Sequence, residues 1–308
     1  MDGMTGAGDA PGRPGGPDAR RSVDRLGPAA LERIATGRTG ASVAAFFDLD
    51  RTIIAGSSSL LMSRTFFREG LLGSTMVVRS VYARLVYQLV GADHGRMERL
   101  RTTAMEVTRG WDAAEVRRLA RETLEEVVVP LVHAEALELI ARHRSRGHDV
   151  WIVSSSGEEV VGPIAEHLGV HDVIASRSGI DAGGRYDGTV EFYAYGAAKA
   201  EAIRDIARVR GYDLGACSAY SDSVTDLPML SVVGHAVAVN PDRELRAAAL
   251  ALGWETREFR SPVRPRDRLP GVPAPSTPVL VGAAAALVAG AVLWRAWRGS
   301  PSEGRARS

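Results

Sequence analysis

A single cysteine, Cys217, stands in a chain of 308 residues. An internal disulfide is therefore excluded, and the residue reads as a small core side chain of a protein kept in a reducing compartment. Net charge is nearly absent as well: 38 Lys and Arg against 37 Asp and Glu leave +1. That balance gives no electrostatic case for nucleic acid as a partner. The first residues lack the apolar run of a secretory signal, so export is not expected. Histidines are few and scattered, His94, His133 and His171 among them, and they form no pair with metal-ligand spacing. The remaining composition, 45% apolar and 24% charged, is that of a globular protein large enough for a substantial core.

Composition shifts divide the chain. Residues 1–40 begin with a stretch rich in Gly, Pro, Asp and Arg that buries too little to offset its ordering entropy, and disorder is expected there. An apolar strand follows at about 43–48. From 57 to 131 the spacing turns helical. "STMVVRSVYARLVYQLV" sets Val77, Val78, Val81, Tyr82, Leu85 and Leu89 on one face. "WDAAEVRRLARETLEEVV" opens on Asp112, a natural N-cap. No strand is expected between 57 and about 130, which makes this segment an all-helical insertion. A third helix runs through "AEALELIARHRSRG" and ends at Gly147.

Alternation of strands and helices then takes over. Strands are expected at 149–154, 172–176, 217–221 and 235–240, the last of these closing the series, with a hairpin in "GIDAGGRYDGTVEFY". Helices are expected in "GEEVVGPIAEHLG", "AAKAEAIRDIARVRG" and "TDLPMLSVVG". This is the pattern of an α/β protein with a Rossmann-like, doubly wound parallel sheet, built from 41–56 and 132–260. Residues 261–278 form a Pro- and Arg-rich linker. Sixteen uncharged residues, 279–294, come next. As a helix they span roughly 24 Å, and continuing through Arg295 to Trp297 brings them near the ~20 residues a bilayer requires. The segment 279–297 thus reads as a membrane anchor for a cytoplasmic catalytic domain, the alternative being an Ala-rich interaction helix.

In an open α/β sheet, ligands lie beyond the C-terminal ends of the strands. Asp48 and Asp50 follow the first strand. Ser154, Ser155 and Ser156 follow the second, just before a helix. Ser221, Asp222, Ser223 and Asp226 follow the strand near 220, and Lys199 opens the helix before it. Four carboxylates at one place repel each other and call for a cation. Oxygen-only ligation suits Mg²⁺, usually completed by a substrate phosphate. Hydroxyls and free amides at a helix N-terminus suit phosphate, and Lys199 would neutralise both nucleophile and phosphate. The set describes metal-assisted phosphoryl transfer to a carboxylate, with a small phosphorylated metabolite as partner.

The ordered series "FFDLDRT", "VWIVSSS", Lys199 and "SDSVTDLPML" resembles the haloacid dehalogenase superfamily, most nearly its phosphoserine-phosphatase-like branch (subfamily IB), with the helical segment 57–131 as a cap. The resemblance covers about residues 43–245 and implies a Mg²⁺-dependent phosphatase. It makes Asp48 the nucleophile that forms an aspartyl-phosphate, and Asp50 the general acid and base. Ser154, with Ser155, and Lys199 would hold the phosphoryl oxygens. Mg²⁺ would be bound by Asp48, Asp222 and the Asp50 main-chain carbonyl, and Asp226 would position the metal water or Lys199. An acid at 50, where transport ATPases of the superfamily carry Thr, implies rapid turnover of the intermediate. Two departures stand out. Arg51 replaces the usual Gly, which an ordinary turn would accommodate at little cost, and Ser57 occupies the place of the Glu that holds the amine of phosphoserine. Alternatives to a general phosphomonoesterase are phosphoserine phosphatase proper, a non-catalytic regulator that binds a phosphorylated ligand, and a lipid-linked phosphatase or phosphotransferase.

Overall fold

The computed structural model describes residues 40–71 and 108–260. The expected N-terminal disorder, the helix through 74–90, the 261–278 linker and the 279–297 anchor all lie outside them. Among the described residues, no helix is long and apolar enough to cross a membrane.

The first strand, β1 (Ala44–Asp48), is buried along its whole length, and so it sits at the centre of a sheet covered on both faces. Its side chains alternate between two cores. Ala45 and Phe47 join one cluster with Ile152, Tyr220 and Val237. Ala44 and Phe46 join the other with Trp151, Ala219 and Ile203. Burying each of the two phenylalanines is worth roughly 2–3 kcal/mol, and Phe47 also stacks on Tyr220 with ring centroids 4.3 Å apart.

The neighbours of β1 are β2 (Asp149–Gly157) and β5 (Ser218–Ser221), both parallel to it. Outward from β2 come β3 (Asp172–Ile180) and the antiparallel β4 (Tyr186–Phe192); the short strand expected at 172–176 and the first arm of the expected hairpin are one continuous strand, β3. Outward from β5 come β6 (His235–Val239) and β7 (Glu255–Arg257). The order is β4-β3-β2-β1-β5-β6-β7, a doubly wound sheet whose strand order reverses around β1. That reversal opens a crevice at the strand ends.

The expectation that 235–240 is the last strand is corrected by β7. Its three residues, Glu-Thr-Arg, carry no apolar signal because they cover an exposed edge, and their pairing with β6 is what makes them a strand.

The helices are α1 (Ser58–Arg68), α2 (Ala113–Thr123), α3 (Ala134–Ser145), α4 (Glu158–His167), α5 (Ala197–Arg210), α6 (Leu227–Leu230) and α7 (Arg243–Leu252). The Asp112 carboxylate caps α2 as its sequence predicts, accepting from Ala114 N at 2.9 Å and Glu115 N at 3.1 Å. Beyond Thr123 the chain widens into a π turn over Leu124–Val128. It then tightens into a 3₁₀ turn at Val129–Leu131, next to Pro130, which has no amide hydrogen to donate. Among the described residues of 57–131 no strand forms.

Candidate active site

Asp48 ends β1 opposite Val153 of β2, so Ser154 is the next residue along the neighbouring strand. The turn that carries Asp50 is fastened from both sides. Ile53 N and Ile54 N donate to Leu49 O, Arg51 N donates to Gly56 O, and His133 N donates to Ile53 O. Thr52, Ile53 and Ile54 are fully buried beneath it. Within this turn Arg51 has φ +62°, in the left-handed region where a non-glycine residue costs roughly 1–2 kcal/mol. The expectation of an ordinary turn at Arg51 is thereby corrected: the anchored backbone on both sides imposes a conformation for which glycine is the natural residue.

At the centre lies Lys199, 3% exposed, whose Nζ donates to Asp48 Oδ1 at 2.7 Å and Asp226 Oδ2 at 2.8 Å. Ser221 Oγ donates to the same Asp226 oxygen at 2.7 Å. The backbone that delivers the lysine turns at Gly196, with φ +55° and ψ −123° just before α5. Burial works against the ammonium, but Asp48 and Asp226 outweigh it and hold Lys199 charged. Burial raises Asp48 well above the usual carboxylate range; Lys199 opposes the rise, while Asp226, Asp222 and Asp50 reinforce it. Burial also pushes Asp222 up to about 7, against the pull of Arg51, whose guanidinium lies 3.7 Å away.

Asp50 is held separately. Its Oδ1 accepts from Ser58 N at 2.6 Å at the start of α1, and its Oδ2 accepts from Ser156 Oγ at 3.3 Å. Burial raises its pKa, and these hydrogen bonds partly offset the rise. Ser156 Oγ also meets Ser58 Oγ at 2.8 Å and Ser59 Oγ at 3.0 Å.

Of the residues singled out from the sequence, Asp48, Asp226 and Lys199 meet directly, and Asp50 and Asp222 act on Asp48 through their charge. Ser154 is buried, and its Oγ accepts from Ser156 N at 3.2 Å. The Ser155 carbonyl accepts from Ser176 Oγ at 2.7 Å. It is Ser156 that reaches Asp50. Ser58 and Ser59 escaped the sequence reading because Ser58 reaches Asp50 through its backbone amide and Ser59 reaches only Ser156, 97 positions away; the only local signal was the serine run "GSSSLL" after the acidic motif. No side chain caps α4 behind the serine run, so that run does not act as its cap.

The donor set can be tested against Mg²⁺. Among the described residues no three acidic, His or Cys side chains converge tightly enough to cage a metal unaided. Mg²⁺ does not need such a cage: one or two carboxylates suffice, with water and substrate phosphate. Carboxylates that burial and mutual repulsion push upward, around one lysine, are short of positive charge. A hard dication between Asp48 and Asp222 fits that deficit.

Known proteins resemble this chain in sequence and fold. The family model of haloacid dehalogenase-like hydrolases matches residues 45–231. A probable phosphatase of Mycobacterium tuberculosis (strain ATCC 25618 / H37Rv) is 52% identical over 258 residues, covering 82% of this chain and 88% of its own. A phosphoserine phosphatase of the same organism is 35% identical over 224 residues, covering 71% of each. The phospho-aspartyl intermediate analogue of a phosphoserine phosphatase superposes with a TM-score of 0.51 at 17% identity, over 74% of this chain and 98% of that one, a likeness of fold. With a match that runs from β1 through α6, and with a lysine bonded to Asp48 at the end of β1 and to Asp226 in the turn before α6, this chain belongs to the haloacid dehalogenase-like hydrolases.

Proposed function

We propose that this hydrolase is a phosphatase that cleaves a small phosphomonoester through an aspartyl-phosphate. The observation that carries the reading is the division of labour between two acids two residues apart. Asp48 is bound to Lys199, whose charge opposes the rise that burial and the neighbouring acids impose on it. Asp50 is bound to Ser58 N and Ser156, away from the lysine, with a raised pKa. Environments that set apart two neighbouring carboxyls assign them different roles.

In the first half-reaction an Asp48 oxygen forms a bond to phosphorus as the bond from phosphorus to the leaving oxygen breaks. Asp50 gives its proton to that oxygen, and the alcohol departs. In the second half, Asp50, now a carboxylate, takes a proton from water. The water oxygen attacks phosphorus and the Asp48 carboxylate is released with inorganic phosphate. Lys199 lies beside Asp48, where negative charge builds on the phosphoryl oxygens, and Asp226 with Ser221 orients it. Asp48, Asp222 and the Asp50 carbonyl would hold Mg²⁺, which when bound supplies charge neutralisation of the phosphoryl group. Ser154, one residue past the strand partner of Asp48, would bind a phosphoryl oxygen. The segment 57–131, whose helix α1 brings Ser58 to Asp50, would act as a cap over the leaving group. The segment 279–297 tethers the catalytic domain to a membrane.

The test is Asp48→Asn with p-nitrophenyl phosphate and Mg²⁺. Turnover disappears while the thermal transition is kept, and chelation of Mg²⁺ abolishes activity of the unmodified protein reversibly. An active Asp48→Asn protein would remove the nucleophile assignment.

A further inference from the structure

Three hydroxyls gather at Asp50. Ser58 and Ser59 open α1, and Ser156 lies near the end of β2, 98 and 97 positions further along the chain. Ser156 is buried, and its backbone is pinned by the bond from its N to Ser154 Oγ at 3.2 Å. Its Oγ is 3.3 Å from Asp50 Oδ2, 2.8 Å from Ser58 Oγ and 3.0 Å from Ser59 Oγ. A hydroxyl has one proton to give and two lone pairs to accept with. In the arrangement that satisfies all three neighbours, Ser58 and Ser59 donate to the lone pairs of Ser156, and its single proton goes to Asp50 Oδ2.

The two oxygens of Asp50 are thereby made unequal. Oδ1 accepts from Ser58 N at 2.6 Å. A backbone N–H only donates, so Oδ1 is committed as an acceptor whether or not the carboxyl carries a proton. The proton that passes to the leaving oxygen therefore belongs on Oδ2, the oxygen that Ser156 touches. A hydroxyl can donate or accept, so this contact is kept both when Asp50 gives up its proton and when it regains it.

We propose that Ser156 is a positioning residue for Asp50: its hydroxyl, set in place by Ser58 and Ser59 of α1, fixes the rotation of the carboxyl so that Oδ2 presents the proton to the leaving alcohol. The proposal rests on the phosphatase reading and adds to it a residue that works through Asp50. Placement matters because a catalytic group displaced by about 1 Å loses on the order of 10²-fold in rate.

The test compares p-nitrophenyl, phenyl and benzyl phosphate with Mg²⁺ on the full-length protein. Their leaving groups need a proton to an increasing degree, since nitrophenolate departs as an anion and benzyl alcohol does not. The constant kcat/KM covers the steps up to departure of the alcohol, so it separates the acid role of Asp50 from its later role as base. In Ser156→Ala the preference for p-nitrophenyl over benzyl phosphate should rise about tenfold above that of the unmodified protein, the value of one hydrogen bond to a charged group. Ser156→Thr keeps the hydroxyl and should restore most of the original preference. Ser156→Cys, similar in size but a weak donor, should shift the preference in the same direction as alanine, by less. In an Asp50→Asn background, Ser156→Ala should change the preference by less than about twofold, because nothing is left to position. A loss in Ser156→Ala by one factor on all three esters would refute the proposal and leave the phosphatase reading standing, since a merely structural hydroxyl affects every ester alike. A preference that rises as much in the Asp50→Asn background would refute it too. Hydrolysis of none of the esters by the unmodified protein would overturn both readings.

Discussion

Replacing Lys199 by Met tests the electrostatic core of the site. Met matches the length of the lysine stem and removes its charge. Asp48 Oδ1 and Asp226 Oδ2 both bond to Nζ, at 2.7 and 2.8 Å, so these oxygens lie no more than about 5.5 Å apart. With no cation between them, two full charges at that separation repel by about 3 kcal/mol at an effective dielectric constant of about 20. Removing one partner of a buried ion pair typically costs about 3–5 kcal/mol, which agrees. The variant should therefore lose about 3 kcal/mol of stability near pH 7.5 in metal-free buffer, read by chemical denaturation, or roughly 6–12 °C in Tm. The loss should also depend on pH. Without the lysine, a carboxyl titrates in the folded state well above its unfolded value, so the folded variant binds the extra proton. Its deficit is then largest at high pH and shrinks as pH falls through the raised folded pKa. The double variant Lys199→Met/Asp226→Asn removes one of the two charges and should recover most of the loss. A single variant that loses less than about 1 kcal/mol, or whose loss is the same at pH 5 and pH 8, would refute the picture of a buried bridging cation.

Loss of general acid and base catalysis in Asp50→Asn should lower kcat for aryl phosphate by roughly 10²–10⁴-fold, checked by steady-state kinetics beside a thermal melt; a variant within threefold of the parent would place the proton elsewhere. Gly196→Ala forces a side chain onto φ +55° at the entry to α5; it should cost roughly 1–2 kcal/mol and reduce kcat by shifting Lys199, measured by denaturation and turnover on the same sample. His143 is buried against Tyr220 Oη at 2.8 Å and His148 Nδ1 at 3.0 Å, and burial, with His148 and nearby arginines, pushes its pKa down to about 4. Because the folded pKa lies below the unfolded value, the stability that His143 contributes is complete above about 6.5 and is lost as pH falls toward 4, to the extent of roughly 3 kcal/mol. His143→Gln should flatten the denaturation free energy over that window, and an unchanged slope would exclude His143 as its source.

The acid pair, the serine run and the "SDSVTD" segment were legible in the sequence because each follows an apolar run that marks a buried strand, and Lys199 was legible only by its place between the second and the last of them. Asp112 as a helix cap was legible for the same kind of reason: its carboxylate bonds to amides two and three residues away, a local interaction that the order of residues encodes. Strand β7 was not, since three polar edge residues become a strand only through pairing with β6. The choice among Ser154, Ser155 and Ser156 was also hidden. A register irregularity where β2 leaves β3, between Ser154 and Gly157, separates the exits of these neighbours, and only Ser156 meets Asp50.

Sequence alone thus determined the class of fold and the chemical kind of each strand-end group, since burial periodicity and residue type are local properties of the chain. Tertiary structure alone decided that Lys199, 151 positions from Asp48 and 27 from Asp226, bonds to both, and that Arg51 stands in a left-handed turn beside Asp222. Such pairings depend on how parallel strands align and on hydrogen bonds that anchor a turn from distant segments, and no local pattern of residues specifies either.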